Sequence, residues 1–269
     1  MILYPTAKIN LGLHVLNKRI DGFHEIESCL YPIPLKDILE IIPSDKFEFI
    51  QTGITFPPSI EKNLCEKAFD LLAIKFKLPP VYMHLRKQIP AGAGLGGGSS
   101  DASFVLKGLN ELFSLNLSAT QLEDFAAQLG SDCPFFIANQ PCIVSGRGEV
   151  LAPLSMNLTG TYLVLINPGI HVSTKEAYAL VVPKKMDTRS QDVLLGYKKE
   201  WAEKLINDFQ IPIANKHPIV GHLVEALFES GAFYAAMSGS GSTVFGLFDF
   251  KPDFTPLSFV KPPIFMGWI

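Results

Sequence analysis

The chain has 269 residues, 48% of them hydrophobic, and a net charge of -3. That size supports one large buried core or two moderate ones, and a slightly acidic balance without a long basic run argues against a nucleic-acid surface while allowing a local cationic pocket. Apolar runs such as 162–166 fall far short of the ~20 residues of a membrane span, and Cys29, Cys65, Cys133 and Cys142 form no C-x-x-C pair, which favours reduced thiols in a cytoplasmic protein over zinc or disulfides.

Residues 8–15 alternate with period two, which predicts a strand with Ile9, Leu11, Leu13 and Val15 on one face and Lys8, Asn10, Gly12 and His14 on the other. Strands are also predicted over 38–42, 47–51 and 81–89, with a helix over 63–76. Residues 90–103 follow the last of these strands: five glycines and two adjacent serines lead into a helical pattern of Phe104, Val105, Leu106, Leu109, Leu112 and Phe113. Such a loop suits phosphate, because glycines let backbone N–H groups approach an anion and the helix adds its positive end. A flexible linker is the bland alternative, but it would not run into a helix with Ser99 or Ser100 placed to cap it.

The fragment Gly92-Ala-Gly-Leu-Gly-Gly97 satisfies G-x-G-x-x-G, yet the dinucleotide fingerprint also needs a βαβ unit with an acidic residue ending the next strand. Here Ser118-Ala-Thr-Gln121, a capping box, starts a second helix instead, expected to stop at Gly130. Gly98 is followed by Ser99, so there is no Walker lysine, and a phosphotransferase using this loop needs its cation from elsewhere. Residues 131–136 then turn back into the core.

From about residue 160 a second lobe is expected: a strand over 162–166, the turn Asn167-Pro-Gly169, helices over 174–181, 198–207 and 218–230, and two apolar strands flanking the Gly/Ser turn 238–242. That turn alone reads as a hairpin or bend. The proline-rich tail, 251–269, is expected to add an edge strand. A boundary falls near 157, giving domains 1–157 and 158–269.

A triphosphate in the glycine loop requires a cation near the transferred group, a residue to orient the acceptor hydroxyl and a Mg2+ ligand. Lys8 and Asp132 are the candidates, although a solvated lysine and a turn aspartate are ordinary uses of both. The ordered segments 7–11, 19–25, 90–103, 129–135, 167–169 and 238–242 together resemble the GHMP kinase superfamily, and its branch acting on a cytidine-diphosphate-linked polyol; Asp21-Gly-Phe-His24 is the part that favours this branch. The resemblance implies an α+β, two-lobed GHMP kinase fold, with an N-terminal lobe like domain 2 of ribosomal protein S5 and a ferredoxin-like C-terminal lobe.

It further implies ATP and Mg2+ as cofactors, Lys8 and Asp132 as the catalytic pair, and ATP contacts from Asn63 and from Pro90, Ala91, Gly92, Ala93, Gly94, Leu95, Gly96, Gly97, Gly98, Ser99 and Ser100. Ser100 is the candidate hydroxyl near the metal. Asn10, Phe23, His24 and Thr174 would bind the second substrate, the Phe23 ring stacking on the pyrimidine and His24 bonding its edge. Phe23 stands where many relatives carry tyrosine, and Asn167 where histidine is usual. Small molecules are the expected partners of a monomer or weak homodimer, with no nucleic acid and no membrane. A homoserine or phosphomevalonate kinase, an NAD-dependent oxidoreductase and a non-catalytic nucleotide sensor are the other readings.

Overall fold

The structure is a computed structural model that describes residues 1–54, 62–253 and 262–269. It divides into two compact units, one comprising Met1–Lys8, Pro34–Ala91 and Gly96–Gln140, the other Ile9–Ile33, Gly92–Leu95 and Pro141–Ile269. Neither unit is a continuous stretch of chain. The short β1 (Ile2–Leu3) lies in the first, whereas the long strands β2 (Thr6–Lys18) and β3 (His24–Lys36) contribute residues to both.

In the first unit, β4 (Ile38–Pro43), β5 (Glu48–Gly53) and β6 (Val81–Lys87) join β1 in a sheet of order β1-β4-β6-β5. β4 runs antiparallel to β1 and β6, and β5 runs parallel to β6, with Phe49 opposite Met83. The inward residues Leu39, Ile41, Met83 and Leu85 pack on Ala68 and Leu72 of α1 (Leu64–Phe76), Val105, Leu106 and Leu109 of α2 (Gly97–Leu112), and Leu122 and Phe125 of α3 (Ala119–Ala127). The predicted capping box holds: Ser118 Oγ accepts from Gln121 N while Gln121 accepts from Ser118 N. The helix ends before Gly130, however. Gln128 caps it in right-handed geometry, and Leu129 and Gly130 both bond back to Ala126 O, so no left-handed glycine is needed. The short α4 (Phe135–Ala138) follows.

In the second unit, β7 (Cys142–Ser145) and β8 (Val150–Pro153) complete a sheet of order β2-β3-β7-β8. β9 (Tyr162–Ile166) is followed by α5 (Thr174–Leu180), α6 (Ser190–Leu194), α7 (Trp201–Lys204), α8 (Gln210–Lys216) and α9 (Pro218–Glu229), then by β10 (Tyr234–Met237), β11 (Val244–Phe248) and β12 (Phe265–Trp268). These last strands form an antiparallel sheet of order β10-β11-β9-β12. Numbered in chain order within this sheet, that is 2-3-1-4, the order of the split βαβ ferredoxin-like arrangement. β12 is the edge strand expected of the tail, whose residues 254–261 lie outside the described residues. Val164, Ile166, Ala235, Met237 and Val244 pack against Val220, Leu223 and Leu227 of α9.

The helix predicted over 198–207 is broken: a 3-10 turn at Lys198–Glu200 precedes the one-turn α7. Asn207 is drawn out of helical geometry because its Nδ2 donates to Met237 O and Gly239 O, at 2.6 and 2.8 Å. Leu13 meanwhile exchanges backbone bonds with Ile206 and Asp208.

Candidate active site

In the first unit, β2 carries Lys8 into the interior, 4% exposed, rather than onto a solvated face. Its Nζ lies 3.8 Å from Oδ2 of Asp132, whose side chain is 44% exposed in the turn after α3. That turn is tied to α2, since Ser103 Oγ lies 2.7 Å from Cys133 O and 2.8 Å from Ser99 O. Burial lowers the pKa of the Lys8 ammonium, and the charge and hydrogen bonding of Asp132 oppose that shift. A buried ammonium beside a half-exposed carboxylate gains from a further anion brought to it.

The loop leaving β6 places Pro90 and Ala91 ahead of the bend and Gly96–Ser100 at the start of α2. The helix begins earlier than the sequence suggested, so Ser99 and Ser100 lie inside it and do not cap it. Gly96 is the N-cap, left-handed at φ 70°, with no side-chain cap hydrogen bond. The first intrahelical bond runs from Ser100 N to Gly96 O at 2.9 Å, so the amides of Gly97, Gly98 and Ser99 precede the helical ladder. A Cβ on Gly96 would stand 2.8 Å from the Phe136 ring and 3.2 Å from Lys8 Cγ. The absence of a side chain is what lets the lysine stem pass beside the helix start. Ser100 Oγ is buried without a hydrogen-bond partner among the described residues. Asn63 caps α1: its Oδ1 accepts from Cys65 N and its Nδ2 donates to Gln51.

In the second unit, Ala93 and Leu95 are buried while Gly92 is exposed. The Gly/Ser turn 238–242 proves to be more than a bend, because Ser238 Oγ donates to Gly94 O at 2.8 Å and Thr243 N donates to Ala93 O at 3.3 Å. Asn10 N donates to the same Ser238 hydroxyl at 3.3 Å, and Asn10 Nδ2 donates to Ser28 Oγ at 2.9 Å. Thr174 Oγ1 lies 3.4 Å from Ser240 Oγ. The glycine loop, Asn10 and the second turn therefore converge, a convergence that needs residues more than 140 positions apart.

Phe23 is 54% exposed, with the Arg147 guanidinium 4.7 Å from its ring centroid. His24 stacks on Tyr178 at 4.9 Å and 21°. The turn is braced: Arg19 pairs with Asp21 and Glu25, and Glu25 accepts from Gly146 N. Arg147, Tyr178 and Ser103 were not distinguishable as site neighbours from sequence spacing. Ser238, in a second Gly/Ser cluster, carried the clearest signal. Asn167 is structural, its Oδ1 accepting from Gly169 N and its Nδ2 donating to Thr243.

The class follows from this fold and from the ammonium, carboxylate and glycine loop: residues 63–147 match the model for the GHMP kinases N terminal domain and 198–254 that for the GHMP kinases C terminal. The chain is 50% identical over 254 residues to a 4-diphosphocytidyl-2-C-methyl-D-erythritol kinase of Cytophaga hutchinsonii, covering 94% of both chains. With that of Parabacteroides distasonis the identity is 47%, covering 94% of this chain and 93% of the relative. A crystal structure of 4-(cytidine 5'-diphospho)-2C-methyl-D-erythritol kinase superposes with TM-score 0.78 at 32% identity, covering 92% of this chain and 90% of that one. Streptococcus pneumoniae phosphomevalonate kinase, at 15% identity, TM-score 0.72 and coverage of 100% and 99%, shares the fold. The chain belongs to the 4-diphosphocytidyl-2-C-methyl-D-erythritol kinase family. Membership of a kinase family sets aside the NAD-dependent oxidoreductase reading of the G-x-G-x-x-G match, in keeping with helix α3 following α2.

Proposed function

We propose that the protein transfers the γ-phosphoryl group of ATP to the 2-hydroxyl of 4-diphosphocytidyl-2-C-methyl-D-erythritol, giving the 2-phosphate and ADP in the non-mevalonate route to isoprenoid precursors. The observation that carries this reading is the 3.8 Å approach of Lys8 to Asp132 with the lysine stem against Gly96, where the uncapped amides of α2 begin. The acceptor oxygen attacks phosphorus as the bond to the β,γ-bridging oxygen breaks. Asp132 accepts or orients the hydroxyl proton, and Lys8, held beside it, steadies phosphate charge.

Pro90, Ala91, Gly92, Ala93, Gly94, Leu95, Gly96, Gly97, Gly98, Ser99 and Ser100 hold the ATP phosphates chiefly through backbone, and Asn63 lines the adenine side. Phe23 offers a stacking face, His24 an edge donor or acceptor, and Asn10 and Thr174 polar contacts to the rest of the substrate. The described residues contain no cluster of three or more His, Cys, Asp or Glu that could hold a metal; Ser100 Oγ, buried and without a hydrogen-bond partner among them, is the group that would hold Mg2+, which when bound would neutralise phosphate charge. The four free cysteines support a reducing, cytoplasmic setting. A boundary at 157/158 falls between the two matched stretches.

An ADP-release assay offering this substrate, mevalonate and homoserine tests the proposal. ADP should form with the cytidylyl substrate, and free CDP should compete with it. Turnover of homoserine without CDP inhibition would overturn it.

A further inference from the structure

Three charged side chains lie in the interior of the first unit away from Lys8: Asp37 at 0%, Asp101 at 2% and Lys87 at 4% exposure. Lys87 Nζ pairs with Asp37 and, at 2.6 Å, with Asp101. Apolar residues of similar volume would commonly give equal or greater stability than such buried ions, so stability alone is a poor account of them. Their placement is more telling. Asp37 also accepts from the backbone N–H groups of Gln88 and Ile89, the residues joining β6 to Pro90. Asp101 sits on α2, and a Cβ on Gly97 would meet Lys87 Nζ at 3.3 Å and Ile89 Cγ2 at 2.8 Å. One ammonium thus joins the strand entering the glycine loop to the helix leaving it, beside Gly97 in the first turn.

We propose that Asp37, Lys87 and Asp101 are positioning residues that fix the two ends of the glycine loop and so set the spacing of the amides that receive the ATP phosphates. This rests on the reading of that loop as the phosphate site. The charges do not balance: two carboxylates share one ammonium, and Asp101 Oδ1 has no hydrogen-bond partner among the described residues. Burial pushes the Asp101 carboxyl up to about 8, with Lys87 pulling it down and Asp37 pushing it up. Burial disfavours the Lys87 ammonium, but the two carboxylates outweigh it and raise its pKa. Cys65 of α1 faces the same group, and burial and then Asp101 push its thiol well above the usual range.

The test compares Asp101→Ala, which cuts the link to α2, with Asp101→Asn, which keeps an acceptor for Lys87 and removes the surplus charge. Asp101→Ala should raise KM for ATP about tenfold, leaving kcat and KM for the second substrate within about threefold, and Asp101→Asn should restore it. Unchanged KM for ATP in Asp101→Ala with a lowered Tm would show a purely structural triad and overturn the proposal. Should that variant fail to fold, Asp101→Leu, an apolar side chain of similar volume, cuts the same link: a rise of about tenfold in KM for ATP would support the proposal, and KM within twofold of the parent would refute it. Failure of the parent to bind an ATP analogue in a fluorescence titration would instead sink the phosphate-loop reading itself, and this proposal with it.

Discussion

Gly98→Ala tests the proposed phosphate contact of the loop cleanly, because nothing in the described residues objects to the substitution. Gly98 is exposed in the first turn of α2, and an added Cβ would meet only Leu64 Cδ1, at 3.8 Å, an ordinary contact. Helix propensity alone predicts a stability gain of up to about 0.5–1 kcal/mol. If an ATP phosphate approaches that amide, the methyl group pushes it out of hydrogen-bonding range. A hydrogen bond to a charged group contributes about 1.5–3 kcal/mol, so ATP affinity should fall about 10- to 100-fold. Urea denaturation should show equal or greater stability, and titration with a non-hydrolysable ATP analogue should show the loss. Affinity within twofold of the parent, in a folded variant, would mean that no phosphate reaches the Gly98 amide.

Gly94→Ala should do the opposite: at φ 77° its Cβ would overlap Ser238 O and stand 2.9 Å from the carbonyl carbon, so a loss of at least about 2 kcal/mol is expected in urea denaturation. Asp132→Asn should lower turnover by about 10²-fold or more with ATP affinity nearly intact, as loss of a general base predicts, and parental turnover would remove Asp132 from the mechanism. Because the pKa of Lys8 is lowered from 10.5, chiefly by burial, kcat/KM should fall with rising pH below the ordinary lysine range. The limb should move upward in kcat, where bound phosphate favours the ammonium, and its absence from both profiles would contradict a charged Lys8. Burial pushes the thiols of Cys133 and Cys142 up to about 11 and about 12 and raises that of Cys29 further. Iodoacetamide at pH 8 should therefore label the folded protein slowly and the urea-unfolded protein fully.

Elements defined by local chemistry were readable from the residues. The Ser118 to Gln121 box, the strand Tyr162–Ile166 and the helix from Pro218 rest on contacts within a few positions, so their signals survive in one dimension. β3 did not, because Pro32 and Pro34 argue against a strand. The structure accommodates them by pairing β7 only with Ser28–Leu30, short of both prolines. The cap of α2 misled for a related reason: serine is the better cap by propensity, but Ser100 is buried and Ser103 bonds the turn that carries Asp132. A capping serine would fill with a hydroxyl the position where the helix start offers bare N–H groups. The same logic separates Ser238 and Ser240 of the 238–242 turn from a generic bend, since Ser238 reaches Gly94 and Ser240 reaches Thr174. Local propensity is overridden here at the residues read as gripping phosphate, where the chain keeps its donors available for a ligand instead of satisfying them within the fold.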